Sequence, residues 1–182
     1  MARFRGGDAA ALGEIYARFS HRIYRFLVRL AGRPDVAEDL HQETWIAAAR
    51  HAPRLAADTD LAAWLFTVAR NKHHSWRRSA AAEASRREAA SAEAETAAVD
   101  QAVDARRDLE RALASLPAIH REILVLIGCE GLETAQAAAV LGLTAEAVRQ
   151  RLARARAALA AALAPAEDAG SRRVVAFRKE IS

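Results

Sequence analysis

The sequence predicts an all-α fold: two small helical domains joined by a flexible linker. Three observations carry that prediction. Apolar residues recur at three- and four-residue spacing wherever they cluster, which is the helical period. Alanine supplies much of the 52% apolar content while aromatics make up only 5%, so the cores must be small and packed helix on helix. Residues 79–107 hold almost no large apolar residue and separate two stretches that do. At 182 residues the chain suits one domain or two small ones.

The first domain spans residues 8–78. Over residues 8–32, Leu12, Ile15, Tyr16, Phe19, Ile23, Phe26, Leu27 and Leu30 fall on one helical face, and Gly32-Arg33-Pro34 ends the helix. Asp35 opens a second helix with Glu38 three residues on, an Asp variant of the capping box. That helix runs through EDLHQETWIAAARH and breaks at Pro53. Residues 53–60 form a loop, and a third helix follows over Leu61 to Arg78. Trp64, Leu65, Val68 and Ala69 give it an apolar side, and Arg70, Lys72, Arg77 and Arg78 a basic end. Trp45 and Trp64 share helical spacing with core residues and belong to packing. His73 and His74 are neighbours whose side chains point about 100° apart, which suits exposed helix positions.

Residues 79–107 are Ala-, Glu-, Ser- and Arg-rich, and the charges from Glu88 to Asp104 are all acidic. Such a segment cannot bury a core of its own and reads as a linker, in part helical. The second domain, residues 108–163, resumes at Leu109, Leu113 and Leu116, stops at Pro117, and continues through Ile123, Leu124, Leu126 and Ile127. Residues 164–182 form a short basic tail with Arg172, Arg173, Arg178 and Lys179, expected to be disordered.

Gly131 to Arg156 is the most informative stretch. Thr134 to Leu141 is a short Ala-rich helix, and Gly142 can close it in the left-handed conformation. Thr144 then caps a second helix on which Val148, Leu152, Ala155 and Leu159 form the apolar stripe. Arg149, Gln150, Arg151, Arg154 and Arg156 lie off that stripe. This is the layout of a helix-turn-helix, whose second helix enters a major groove with side chains that can read base edges and phosphates. The alternative is an Ala-rich helical hairpin with a solvated basic face.

Net charge +4 and a pI near 9.9 fit a polyanionic partner. One cysteine excludes an intrachain disulfide and a cysteine-rich zinc site. No apolar run is long enough for membrane insertion and no signal peptide is evident, so a soluble, cytoplasmic protein is expected. No cofactor is indicated.

Four motifs stand in register across both halves: DVAEDLHQETWIAAAR, AWLFTVARNKHHSWRR, LASLPAIHREILVL and EGLETAQAAAVLGLTAEAVRQRLARARAAL. In order and spacing they resemble the bacterial extracytoplasmic-function (ECF) sigma factors. The resemblance implies a subunit that binds core RNA polymerase and recognises and melts promoter DNA, not an enzyme, under control of an anti-sigma factor. Asp39, Gln42 and Glu43 share one helix face, and the matching family positions dock on the polymerase clamp helices. The loop at 53–60 matches the family's −10 pocket, which holds a flipped base, with Arg54, Asp58 and Thr59 as its polar candidates. Leu55 stands where an aromatic is frequent. Asn71, Lys72, Arg77 and Arg78 match positions that follow the backbone of the melted strand, while Trp76 suits either core packing or stacking on a base.

In the second domain the family's −35 readers fall on Arg149, Gln150 and Ala153, with Arg151 and Arg154 as phosphate partners. Arg149 can pair with guanine and Gln150 with adenine, each worth about 1–3 kcal/mol of discrimination. Ala153 offers only methyl contact. Glu133 replaces a frequent Ser cap, so Thr134 is expected to cap one residue later. Ala137, Ala138 and Ala139 replace bulkier core residues. Cys129 reads as a buried small hydrophobe. The two promoter elements lie ~50 Å apart at ~34–36 Å per duplex turn. A linker of roughly 26 residues extended at ~3.3 Å each reaches ~85 Å, enough to span them.

Two other readings compete. A stand-alone helix-turn-helix regulator explains the second domain but leaves Asp39, Gln42, Glu43 and the 53–60 loop unused. A metal-binding helical-bundle enzyme takes support from Glu38-Asp-Leu-His41, the Glu-x-x-His spacing of di-iron bundles, but no second copy of that motif is present.

Overall fold

The computed structural model describes residues 1–88 and 105–164, with side chains described for 1–83 and 108–164. The acidic run from Glu93 to Asp104 and the tail from Pro165 lie outside the described residues. Every regular element among those described is helical: α1 Ala2–Arg5, α2 Ala9–Ala31, α3 Pro34–His51, a 3-10 turn Ala52–Arg54, α4 Leu61–Glu88, α5 Ala105–Ser115, α6 Ala118–Leu124 running into a π-helical turn Val125–Cys129, α7 Thr134–Leu141 and α8 Ala145–Leu163.

The ends of α2 follow the sequence reading. The Asp8 carboxylate accepts from the Ala10 and Ala11 N–H groups at 2.8 and 3.2 Å, and Gly32 closes the helix at φ 69°. Other ends differ from expectation. Arg33, not Asp35, is the residue before α3, and Pro34 takes the first helical position, where its missing N–H costs nothing. Asp35 sits in the first turn, where a carboxylate favours the helix dipole, and pairs with Arg33 at 2.5 Å. The helix α4 runs on to Glu88 rather than ending at Arg78. No Gly or Pro interrupts residues 79–88, and Ala80–Ala82 favour continuation. At α7 the cap is Glu133, not Thr134. Its N–H is satisfied by the Gln136 side chain at 3.0 Å, so the reach-back half of a capping box replaces a hydroxyl cap.

Helices α2, α3 and α4 pack around Phe19, Ile23, Phe26, Leu27, Leu40, Trp45, Leu65 and Phe66. The short α1 inserts Phe4 beneath the 53–60 loop, against Ala11, Ala52 and Leu55, with the Trp64 ring edge-on at 6.5 Å. Helices α5 to α8 close around Leu113, Ile123, Leu126, Val140, Val148 and Ala155. Ala137 and Ala138 are buried as expected, but Ala139 is exposed, and Cys129 is only half-buried against the core. These two sets of side chains join into one continuous core, because α7 packs along α4 and the ends of α5 and α6 meet α2. Among the described residues no helix is long and apolar enough to cross a membrane.

Candidate nucleic-acid interface

The helix-turn-helix has the local chemistry its sequence promised. Gly142 is left-handed at φ 67°, and the Thr144 hydroxyl accepts from the Ala147 N–H at 3.2 Å. Val148 and Ala155 are wholly buried, which turns the other side of α8 outward. Arg149, Gln150, Ala153 and Arg154 are exposed there and Arg151 is half-exposed. Arg149 and Gln150 are not free. Glu146, one turn earlier, accepts from Arg149 at 2.5 and 3.1 Å and from Gln150 at 3.1 Å. The Arg149 guanidinium, with Gln150 behind it, holds the Glu146 carboxyl below the usual carboxylate range.

At the other end of the molecule, Asp39, Gln42 and Glu43 line the exposed face of α3. Two apolar side chains are exposed beside it. Ile46 on α3, which sequence reading did not single out, is 51% exposed. Tyr16 on α2, which sequence reading places on the apolar face, lies instead at that face's edge, 46% exposed with its ring 4.8 Å from Trp45. Glu43 pairs with Lys72 at 3.0 Å, so the acidic face and the basic end of α4 touch. His41, the histidine of the Glu-x-x-His match, is occupied otherwise. Its Nε2 lies 3.0 Å from both the Ser20 hydroxyl and the Trp45 indole N–H, and burial lowers its pKa.

In the loop, Arg54 and Asp58 are exposed and Thr59 is half-buried. Leu55 is buried over Phe4 and fixes the base of the loop. Asp60 ends it with two tasks: one carboxylate oxygen caps α4 at the Ala63 N–H (3.0 Å), the other accepts from Gln136 of α7 (2.8 Å). Beyond the loop, Asn71, Arg77 and Arg78 are exposed and Lys72 is half-exposed. Trp76 is half-buried against the core, beside His73.

The histidine pair corrects the sequence reading. His73 is 2% exposed, and burial first, with His74 second, lowers its pKa to about 4. His74 is half-buried, its Nε2 2.5 Å from Glu122 Oε1. The 100° offset between neighbours holds, but Leu30 at the end of α2 lies beside His73 and Glu122 of α6 meets His74, so neither ring is free on the surface.

Sequence reasoning also missed the polar ties between the halves. Glu130, in the apolar run after Ile123, is buried and meets Arg22, Arg25 and Arg29 of α2 at 3.6, 4.0 and 3.1 Å. Burial pushes its carboxyl up while the three guanidinium groups pull it down. The π turn positions it: the Glu130 N–H bonds the Val125 carbonyl five residues back, at 2.9 Å. Glu122 pairs with Arg70 at 2.8 Å. Arg121 donates to the Leu113, Ala114 and Leu116 carbonyls at the end of α5 and to Leu30 of α2. A glutamate inside an apolar run was the only signal available for any of these.

An all-helical chain that presents an arginine-lined recognition helix defines a nucleic-acid-binding protein of the helix-turn-helix class. The comparisons make the class specific. Residues 15–83 match the family model for sigma-70 region 2, and residues 106–159 that for sigma-70 region 4. The chain is 34% identical to the RNA polymerase sigma factor CarQ of Myxococcus xanthus, over 83% of this chain and 88% of that one. It is 36% identical to the ECF RNA polymerase sigma factor SigL of Mycobacterium tuberculosis, over 84% and 90%. Among solved structures it is similar to the sigma factor RpoE in complex with the anti-sigma factor NepR from Bartonella quintana, with TM-score 0.73, 29% identity, and 83% and 95% of the two chains covered. CnrH in complex with the cytosolic domain of CnrY gives TM-score 0.68 and 28% identity over 89% and 93%. The chain belongs to the ECF RNA polymerase sigma factors, and its function is theirs: promoter-specific transcription initiation with core RNA polymerase.

Proposed function

We propose how the residues divide that function. Residues 8–78 bind core polymerase and open the −10 element, 108–163 read the −35 element, 79–107 tether them, and 164–182 form a tail. Asp39, Gln42 and Glu43, flanked by Ile46 and Tyr16, dock on a basic polymerase surface. Arg54, Asp58 and Thr59 hold the flipped −10 base, and Asn71, Lys72, Arg77 and Arg78 follow the single strand. Arg149, Gln150 and Ala153 read the −35 duplex, supported by Arg151 and Arg154. The protein acts in the cytoplasm, is not itself an enzyme, and is held inactive by an anti-sigma factor. The complexes of RpoE with NepR and of CnrH with CnrY support that control. Reading two elements ~50 Å apart requires α7 to leave α4, so the packed arrangement is the resting one.

The observation that carries this reading is the separation of charge on one chain: an exposed acidic face on α3 and an exposed basic face on α8, each on a helix whose other side is core. The test is transcription from genomic DNA by reconstituted holoenzyme. Wild type is expected to start transcripts at sites sharing two spaced elements, and Asp39→Lys with Glu43→Lys to abolish them while circular dichroism shows the variant folded. Starts that survive the double substitution would move docking elsewhere. Duplex binding that ignores polymerase, with no directed starts, would favour a stand-alone regulator.

A further inference from the structure

The junction of α4 and α6 holds a cluster that promoter reading does not use. His73 and His74 of α4 and Glu122 of α6 each present one donor atom, and these atoms lie within 4.8 Å of one another. A cavity of about 490 Å³ opens beside them, lined by His73, Glu122, Trp76, Arg77 and Arg121 among others. His73 is 2% exposed, yet neither of its ring nitrogens has a hydrogen-bond partner. Buried imidazole nitrogens without partners are rare because each unmet group loses its hydrogen bonds to water and gains none in return. We propose that His73, His74 and Glu122 form a binding site for a borderline divalent transition-metal cation such as Zn2+, bridging the two halves of the chain.

The donor chemistry fits. Two imidazoles and one carboxylate are the set that leaves a fourth position open on Zn2+. Two of the three donors, His73 and Glu122, line the cavity, which has room for water beside them. Donors at about 2.0–2.1 Å from the ion sit roughly 3.3 Å apart in a tetrahedron. The present spread of up to 4.8 Å therefore closes by side-chain rotation, with the ion replacing the proton between His74 Nε2 and Glu122 Oε1.

The supporting shell is also in place. Ligating carboxylates are hydrogen-bonded in turn, and ligating histidines usually give their other N–H to a carbonyl. Arg70 Nε holds Glu122 Oε2 at 2.8 Å. The Leu30 carbonyl bears on the His73 ring without meeting hydrogen-bond geometry, and a small ring rotation supplies it. Arg70, Arg77 and Arg121 oppose a dication, which limits affinity but leaves the donors in place. The Glu38–His41 spacing has no part in the site, because His41 Nε2 is occupied by Ser20 and Trp45.

The experiment uses the full chain without an affinity tag. Co2+ is titrated and followed by its visible d–d absorption, and Zn2+ is then added in competition. The expected result is one ion per chain in a tetrahedral site without thiolate charge-transfer bands. His74→Gln on α4 and Glu122→Gln on α6 should each weaken binding by at least about tenfold, with circular dichroism showing that both variants fold. Cys129→Ser should bind as wild type does. No saturable binding, binding that survives both the α4 and the α6 substitution, or binding lost in Cys129→Ser would overturn the site. The result does not depend on promoter activity, so it can fail while the sigma-factor reading stands.

Discussion

The N-terminal bundle and the helix-turn-helix half are both helical, but different forces hold them. The bundle encloses Phe19, Phe26, Trp45 and Phe66, with the Phe26 and Phe66 rings edge-on at 5.2 Å. The C-terminal half buries Ala137, Ala138 and Ala155 where α7 and α8 pack, side chains with little apolar area to remove from water. It gains the remainder from outside itself. The helix α7 lies on α4, and Glu122, Glu130, Arg121 and Gln136 tie the second half to the first. The two halves share one continuous core, but its aromatic part lies in the bundle, and the second half is held against it partly by buried, hydrogen-bonded charge. If the halves part to read two promoter elements, as proposed above, that division keeps opening from unfolding the bundle.

The largest test of the contrast is core truncation. Phe26→Ala should destabilise the bundle by about 3–5 kcal/mol, whereas Ala155→Gly on α8 should cost about 1 kcal/mol. Urea denaturation followed by circular dichroism measures both. Equal losses would mean that the two cores carry similar weight and that the contrast is wrong.

Next in size is the charge tie. Glu130 is buried while its arginine partners keep access to water, with Arg29 at 20% and Arg25 at 43% side-chain exposure. Glu130→Gln therefore removes charge-assisted hydrogen bonds worth about 1.5–3 kcal/mol without stranding a cation. Hydrogen exchange should show α7 and α8 losing protection while α2 and α3 keep theirs. Uniform loss across all helices would show that the halves open only by global unfolding.

The helices themselves were largely legible. The stripe from Leu12 to Leu30, the stops at Gly32 and Pro53, and the Gly142–Thr144 turn are local signals, and local structure followed them. The α1 helix was not legible, because four residues are too few to show a period and Phe4 finds its place only through tertiary packing. Nor were the ties between halves. Arg29 and Glu130 stand 101 residues apart, and one sequence carries no sign of which arginine meets which glutamate. His73 failed for the same reason: its helix was read correctly, but its burial depends on side chains distant in sequence, Leu30 of α2 and Glu122 of α6. The helical side chains predicted to face DNA and polymerase lie off the apolar stripes of their own helices, and the structure leaves them exposed or half-exposed.

The comparison can also be pressed inside α8, where effects are smaller. Arg149→Ala should lose about 1–3 kcal/mol of discrimination at one −35 base pair, read from holoenzyme binding to promoters varied at that position. Glu146 is the subtler case. It accepts from both proposed readers, Arg149 and Gln150, and so biases their geometry, while each keeps further N–H donors for a base edge. If α8 enters the major groove as proposed, the exposed Glu146 carboxylate faces a phosphate-rich surface. Glu146→Gln removes the repulsion and keeps a weaker acceptor, so binding to any promoter should tighten by about two- to fivefold, more at low salt than high. Weaker binding after the substitution would give Glu146 the opposite role, holding Arg149 in the geometry that reads guanine. In that case the loss should appear only on promoters with guanine at the Arg149 position, whereas relief of phosphate repulsion acts on every sequence alike.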